Sequence, residues 1–290
     1  MPLEALPTLI GRKPALKPTR GANLHRGDIE YRPWLVAREQ RLVFGEDAEL
    51  YDRARPTYPA ELIDDVVGLV GNGSHAVDAG CGTGKATVLL AARGLDGVAV
   101  DPDPAMAAVA RRHLDATPVW RVEVSSFETW SPARDDPPID LLVSAQAWHW
   151  FDPEVRFQKA YGLLRPGGWM ALWWNGPAVF DTPARRAIDA AYQAFAPEIV
   201  HRGIAGHPVP DFEPMPLDAW FGAPLQRSYP WTKRYSAATW CDLLRTSSDH
   251  RMLAEDRRER LLEAVTEAIE SNGGTYDHPY VCGLWAAQRL

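Results

Sequence analysis

The chain has 290 residues, enough for one large domain or a domain carrying a substantial insertion. Its hydrophobic content of 46% and charged content of 24% are ordinary for a soluble globular protein, and no uninterrupted apolar run reaches membrane-spanning length. A net charge of −7 argues weakly against a nucleic-acid partner, which favours a basic face.

Residues 1–41 are punctuated by proline and locally basic, with no helix or strand period, and read as a partly ordered tail. A single domain is expected over 42–290. Three widely separated cysteines, Cys81, Cys241 and Cys282, predict neither a disulfide framework nor a metal site. With no secretory signal visible at the start, they suit the reduced cytoplasm. A short helix after Phe44 should stop before Pro56, because the residue ahead of a proline avoids the α region. Pro59 then opens an amphipathic helix.

The stretch from His75 to Gly84 reads as a short buried strand ending in Asp78, then a loop with Gly80, Gly82 and Gly84, then a helix from Lys85. Alternating glycines let the backbone turn through positive φ and remove side chains that would hold a ligand away. A P-loop would need glycine at 79 and Ser or Thr at 86, and both are alanine, so Lys85 is expected to be a solvated helix residue. The dinucleotide fingerprint fails too, since its third glycine comes one residue early. A second apolar run closes on Asp101, about 20 residues past the loop, where an acid can accept from both hydroxyls of a ribose. Pro104 makes Asp103 the better cap for the next helix.

The pattern Asp-x-Gly-x-Gly-x-Gly at 78–84 resembles the first motif of class I S-adenosylmethionine-dependent methyltransferases, and the group that includes trans-aconitate methyltransferase in particular. The resemblance implies an α/β fold: a Rossmann-like, seven-stranded, mostly parallel sheet with helices on both faces. It implies S-adenosyl-L-methionine as cofactor, bound by Asp78, Gly80, Gly82, Gly84 and Asp101, with Pro102 and Met106 beside them. Tyr51 and Arg55 stand where the family keeps a lid near the cofactor's methionine end, and an arginine fork suits a carboxylate. The family's adenine loop falls at Ser125–Trp130, with Ser126 in place of the usual aspartate and Phe127 offering its backbone. Strands are expected at 119–124, 139–145, 169–174 and 280–288, with a turn at 164–168 and an insertion at 176–228. Late helices around 237–244 and 248–271 do not resemble a second domain with its own core.

The fourth strand runs into Ala145-Gln146-Ala147-Trp148-His149-Trp150, which in this architecture borders the methyl group, so Ala145 and Gln146 are expected beside the cofactor. Trp148, Trp150, Trp173 and Trp174 are candidates for an aromatic acceptor wall. Alternation lets only one of Trp173 and Trp174 face the cleft, and Trp148 and His149 are better placed for it than Trp150. Methyl transfer asks chiefly for orientation, and a base is required only for a hydroxyl or amine; His149 is the candidate, with His201, His207 and His250 behind it. The expected activity is methylation of a small molecule on a carboxylate or hydroxyl oxygen. The rivals are an RNA or protein methyltransferase and a silent cofactor-binding module; oligomeric state is not legible.

Overall fold

A computed structural model of the chain describes residues 45, 47–199 and 220–290. The expected tail at 1–41, His201, His207 and positions 200–219 of the expected insertion lie outside the described residues. Five strands pair in parallel: β1 (His75–Ala79), β2 (Asp96–Asp101), β3 (Trp120–Val124), β4 (Ile139–Ala145) and β5 (Leu164–Pro177). Two more, β6 (Leu225–Ser236) and β7 (Thr275–Gln288), complete a seven-stranded sheet in the order β3-β2-β1-β4-β5-β7-β6, with β7 antiparallel to both neighbours.

Strand alternation divides the apolar side chains between two cores. Ala76, Leu141, Val143, Ala171 and Trp173 face one, which Leu62, Ile63 and Leu90 cover from helices α2 (Ala60–Gly68) and α3 (Lys85–Ala91). Val77, Ala79, Leu142, Met170, Leu172 and Trp174 face the other, covered by Ala160 of α5 (Arg156–Leu163) and by the rings of Trp148 and Phe151. Burial on both faces is what a parallel sheet requires. Ahead of these, α1 (Ala48–Ala54) is capped by Asp47, whose Oδ1 accepts from the Leu50 N–H at 2.8 Å, and it ends before Pro56 as expected. Asp103 likewise caps α4 (Pro104–Leu114) through the Ala105 and Met106 N–H groups.

Two expectations change. The turn at 164–168 is part of β5: Ile139 pairs with Leu164 but Leu141 with Trp169, so the Pro-Gly-Gly sequence bulges within a longer strand. The late helix expected at 248–271 is instead two helices. α7 (Ala237–Arg245), the short α8 (Ser248–Arg251) and α9 (Glu255–Glu270) are separate helices, and α9 packs against both α7 and α6 (Pro183–Phe195). Ile188 and Tyr192 of α6 meet Trp240 and Leu244 of α7 and Leu261 and Val265 of α9 in a third apolar cluster. Neither late helix buries its apolar stripe alone; α6, from far upstream, completes the layer. No helix among the described residues is long and apolar enough to cross a membrane.

Candidate cofactor and acceptor site

A cavity of about 940 Å³ opens at the carboxyl ends of β1, β2 and β4, between the sheet and the α6–α8 layer. Its floor is the glycine loop. Gly80, Gly82 and Gly84 have φ of 72°, 56° and 83°, all in the left-handed region. A Cβ on Gly80 would stand 2.4 Å from Ala147 Cβ, whereas one on Gly82 would meet only the Met106 methyl, at 3.4 Å. Gly82 therefore leaves open space on the cavity side. Asp101 anchors the loop: one carboxylate oxygen accepts from the Gly82 N–H at 2.8 Å and the other from the Asp103 N–H at 2.9 Å.

Asp78 lies beneath the loop, fully buried and off the cavity wall. Its Oδ2 accepts from the Thr87 hydroxyl at 2.6 Å, and its Oδ1 has no protein partner. Burial pushes its carboxyl up to about 7.

The segment expected to form a lid borders the cavity. Tyr51 and Arg55 line the cavity, with the Arg55 guanidinium 5.2 Å from the centre of the Tyr51 ring. Arg55 Nη2 donates to the Thr246 carbonyl at 2.8 Å, and its buried Nε has no partner. Lys85, expected in solvent, instead reaches across to Asp52 of α1 at 3.5 Å, fastening lid to loop. Ala48, Met106 and Val109 close the same seam with apolar contact. Pro102 and Met106 line the cavity, but Ser126 and Phe127 do not. Ser126 Oγ is 3.0 Å from Thr129 Oγ1. Phe127 is buried and stacks on Phe151 at 4.8 Å, and it is Phe151 that reaches the wall.

After β4, Ala145 and Gln146 line the cavity, and Gln146 holds a φ of 61°, a strained value for a residue with a side chain. Trp148–Trp150 forms one 3₁₀ turn, in which successive side chains are rotated by about 120°. Trp148 accordingly points inward, 1% exposed, against Phe127, Phe151 and Phe157, while His149 and Trp150 face the cavity. That corrects the preference for Trp148 over Trp150. Neither Trp173 nor Trp174 reaches the cavity: Trp173 is in the core edge-on to Tyr58, and Trp174 lies under the 3₁₀ turn. The Trp174 indole N–H donates to His149 Nδ1 at 3.3 Å. Because that indole can only donate, neutral His149 carries its own hydrogen on Nε2. Its ring is open to the cavity yet enclosed by protein, and burial together with the Arg156 charge lowers its pKa to about 4. That is a hydrogen-bond donor and a weak base.

The far wall was largely missed from sequence. Arg185 and Tyr192 come from α6, Trp240 from α7, Asp249 and His250 from α8, and Tyr276, His278 and Tyr280 from β7. Only His250 was singled out beforehand. The His278 ring sits 4.8 Å from Trp240 and 4.5 Å from Tyr280, and burial with the nearby Arg185 charge lowers its pKa to about 4. Arg185 donates to Asp189 at 2.8 Å.

These residues fit S-adenosylmethionine: a floor without side chains at Gly82, a carboxylate on the cavity wall at Asp101 to face a ribose, and an unpartnered Arg55 N–H beside Tyr51. A family model described as a methyltransferase domain matches residues 77–172. An uncharacterised methyltransferase of Mycobacterium tuberculosis is 33% identical over 252 residues, 84% of this chain and 96% of the relative. Trans-aconitate 2-methyltransferase of Delftia acidovorans is 34% identical over 124 residues, 42% of this chain and 44% of that protein. A solved structure assigned as a type II methyltransferase from Anaeromyxobacter dehalogenans shares the fold, with a TM-score of 0.57 at 24% identity over 81% of this chain and 97% of the other. With its motif, its sheet order and a relative matched along nearly its whole length, this chain belongs to the class I S-adenosylmethionine-dependent methyltransferases.

Proposed function

We propose that the protein methylates a hydroxyl oxygen of a small, uncharged molecule in the cytoplasm, where its three free, buried cysteines would stay reduced. The charge of the cavity wall carries this reading. Among the described lining residues, the cations are Arg55, Lys85 and Arg185, against Asp101, Asp103, Asp189, Glu198 and Asp249. Lys85 is paired with Asp52, Arg185 with Asp189 and Glu198 with Arg257, while Arg55, Asp101 and Asp103 belong to the cofactor's end, which leaves Asp249 at the acceptor's end. A polycarboxylate such as the trans-aconitate of the Delftia relative would meet more negative than positive charge. The far wall is instead built of rings. The chain after β4 reads Ala145-Gln146-Ala147-Trp148, without the Asn-Pro-Pro-Tyr element suited to a base amine, which disfavours a nucleic-acid acceptor.

The bound cofactor supplies a methyl group made electrophilic by its sulfonium. The chain's own residues hold the acceptor oxygen in line, exclude water and take up the proton, and orientation alone is worth several kcal/mol. Tyr51 and Arg55 close the cofactor end; Trp150 and Phe151 wall the space ahead of Gln146. His149 serves as donor to an oxygen and not as base. Methyl-labelled S-adenosylmethionine, incubated with the protein and a cell extract that is then fractionated by size, tests the proposal. Label should appear in uncharged small molecules; label in RNA or protein, or none, would overturn it.

A further inference from the structure

Three cavity residues form a hydrogen-bonded chain that the reading above leaves unused. The Tyr192 hydroxyl is 2.7 Å from His250 Nε2, and His250 Nδ1 is 2.8 Å from Asp249 Oδ1. All three line the cavity, with Tyr192 8% and His250 4% exposed. Burial raises the Asp249 carboxyl, but the hydrogen bonds and charge of His250, with the Arg55 charge behind them, outweigh it and leave the pKa lowered, so Asp249 is an anion. An anionic carboxylate only accepts, which puts the ring hydrogen of neutral His250 on Nδ1 and its lone pair on Nε2, toward tyrosine. This is the reverse of His149. Arg55 also bonds Thr246, so the chain of three adjoins the lid over the cofactor end.

We propose that Tyr192, His250 and Asp249 are a proton relay for the acceptor hydroxyl, Tyr192 touching the acceptor, and that the acceptor is a phenol; this rests on the hydroxyl reading above. The acceptor oxygen forms its bond to the methyl carbon as the carbon–sulfur bond breaks, and that electron pair stays on sulfur. The acceptor's proton passes to the Tyr192 oxygen, the tyrosine's own proton passes to His250 Nε2, and Asp249 faces the resulting imidazolium. Release of that proton to water resets the relay. Trp240, Tyr276 and His278 supply ring faces and edges for an aromatic acceptor. Besides Asp249 itself, on α8, the charged groups that face the relay are Arg55, just past the end of α1, and Arg185 from α6.

The probe is para-nitrophenol, whose phenolate absorbs visible light while its phenol does not. It is titrated at fixed pH into the protein saturated with S-adenosylhomocysteine. The wild type should bind it and raise its phenolate-to-phenol ratio about tenfold over free solution, one unit of apparent pKa. His250→Gln should bind the probe without that rise, and Tyr192→Phe, which deletes a single oxygen, should behave alike. Binding of S-adenosylhomocysteine, measured by calorimetry, reports that each variant is folded. A probe that does not bind, or an equal rise in both variants, overturns the relay. The labelled-cofactor experiment reads the hydroxyl proposal separately: transfer to hydroxyl compounds with an unshifted probe refutes the relay alone.

Discussion

Gly82→Ala separates the ligand-binding role of the glycine loop from its structural role. At φ 56° an alanine pays the left-handed penalty, about 1–2 kcal/mol, which at roughly 2–4 °C per kcal/mol lowers Tm by several degrees. Packing adds little, because the new Cβ meets only Met106, at 3.4 Å. The methyl projects where the cofactor must lie, and overfilling a fitted space costs about 1–3 kcal/mol, a loss in affinity of about 5- to 150-fold. Gly84→Ala is the control. Its Cβ would press on Ala110 at 3.2 Å and on that residue's backbone at 3.3 Å, so it should destabilise more and weaken binding less. Calorimetry with S-adenosylhomocysteine gives the affinities, and thermal melting gives the stabilities. Unchanged affinity in folded Gly82→Ala, or a larger affinity loss in Gly84→Ala, would refute this account of the loop.

Arg55→Ala should weaken S-adenosylhomocysteine binding by about 1.5–3 kcal/mol, the worth of hydrogen bonds to a charged group, while deleting residues 1–41 leaves it largely intact; the same calorimetry on both proteins checks this. His149→Ala should cut turnover by less than about 10²-fold, below the range for a lost general base, once a hydroxyl substrate is in hand. His278 has its folded pKa lowered from 6.5 to about 4, so between those values the unfolded chain binds more protons. Its contribution is present above pH 6.5 and is lost as pH falls toward 4. Urea titrations across that window should show a shallower decline in His278→Gln than in wild type. Asp78, raised to about 7, works with the opposite sign, so the comparison is between variant and wild type and not of absolute slopes.

The glycine loop and Asp101 were legible because their signals are local. A strand end, three glycines and an acid one strand later lie within 24 residues of each other, and each constrains backbone or charge at its own position. Trp148 was misjudged because a 3₁₀ turn, which has no periodic signature in three residues, decides which ring turns inward. β6 was not located since Pro230 and the charges on Arg227, Lys233 and Arg234 mask its alternation; an edge strand tolerates all of them. The acceptor wall was illegible for a different reason. Tyr192 and His250 are 58 positions apart and meet only when α6 and α8 pack over the cavity, so no spacing rule connects them. Lys85 followed helix periodicity faithfully and still found Asp52, 33 positions upstream, because the lid folds back on the loop.

The claim that the acceptor is an uncharged hydroxyl compound is tested most directly by matched pairs. Methyl transfer from labelled S-adenosylmethionine is measured for aromatic rings that carry either a hydroxyl or a carboxyl at the same place. The charge of the cavity wall predicts labelled ethers from the hydroxyl members and no labelled esters from the carboxyl members. Esters formed at rates equal to or above the ethers would contradict it.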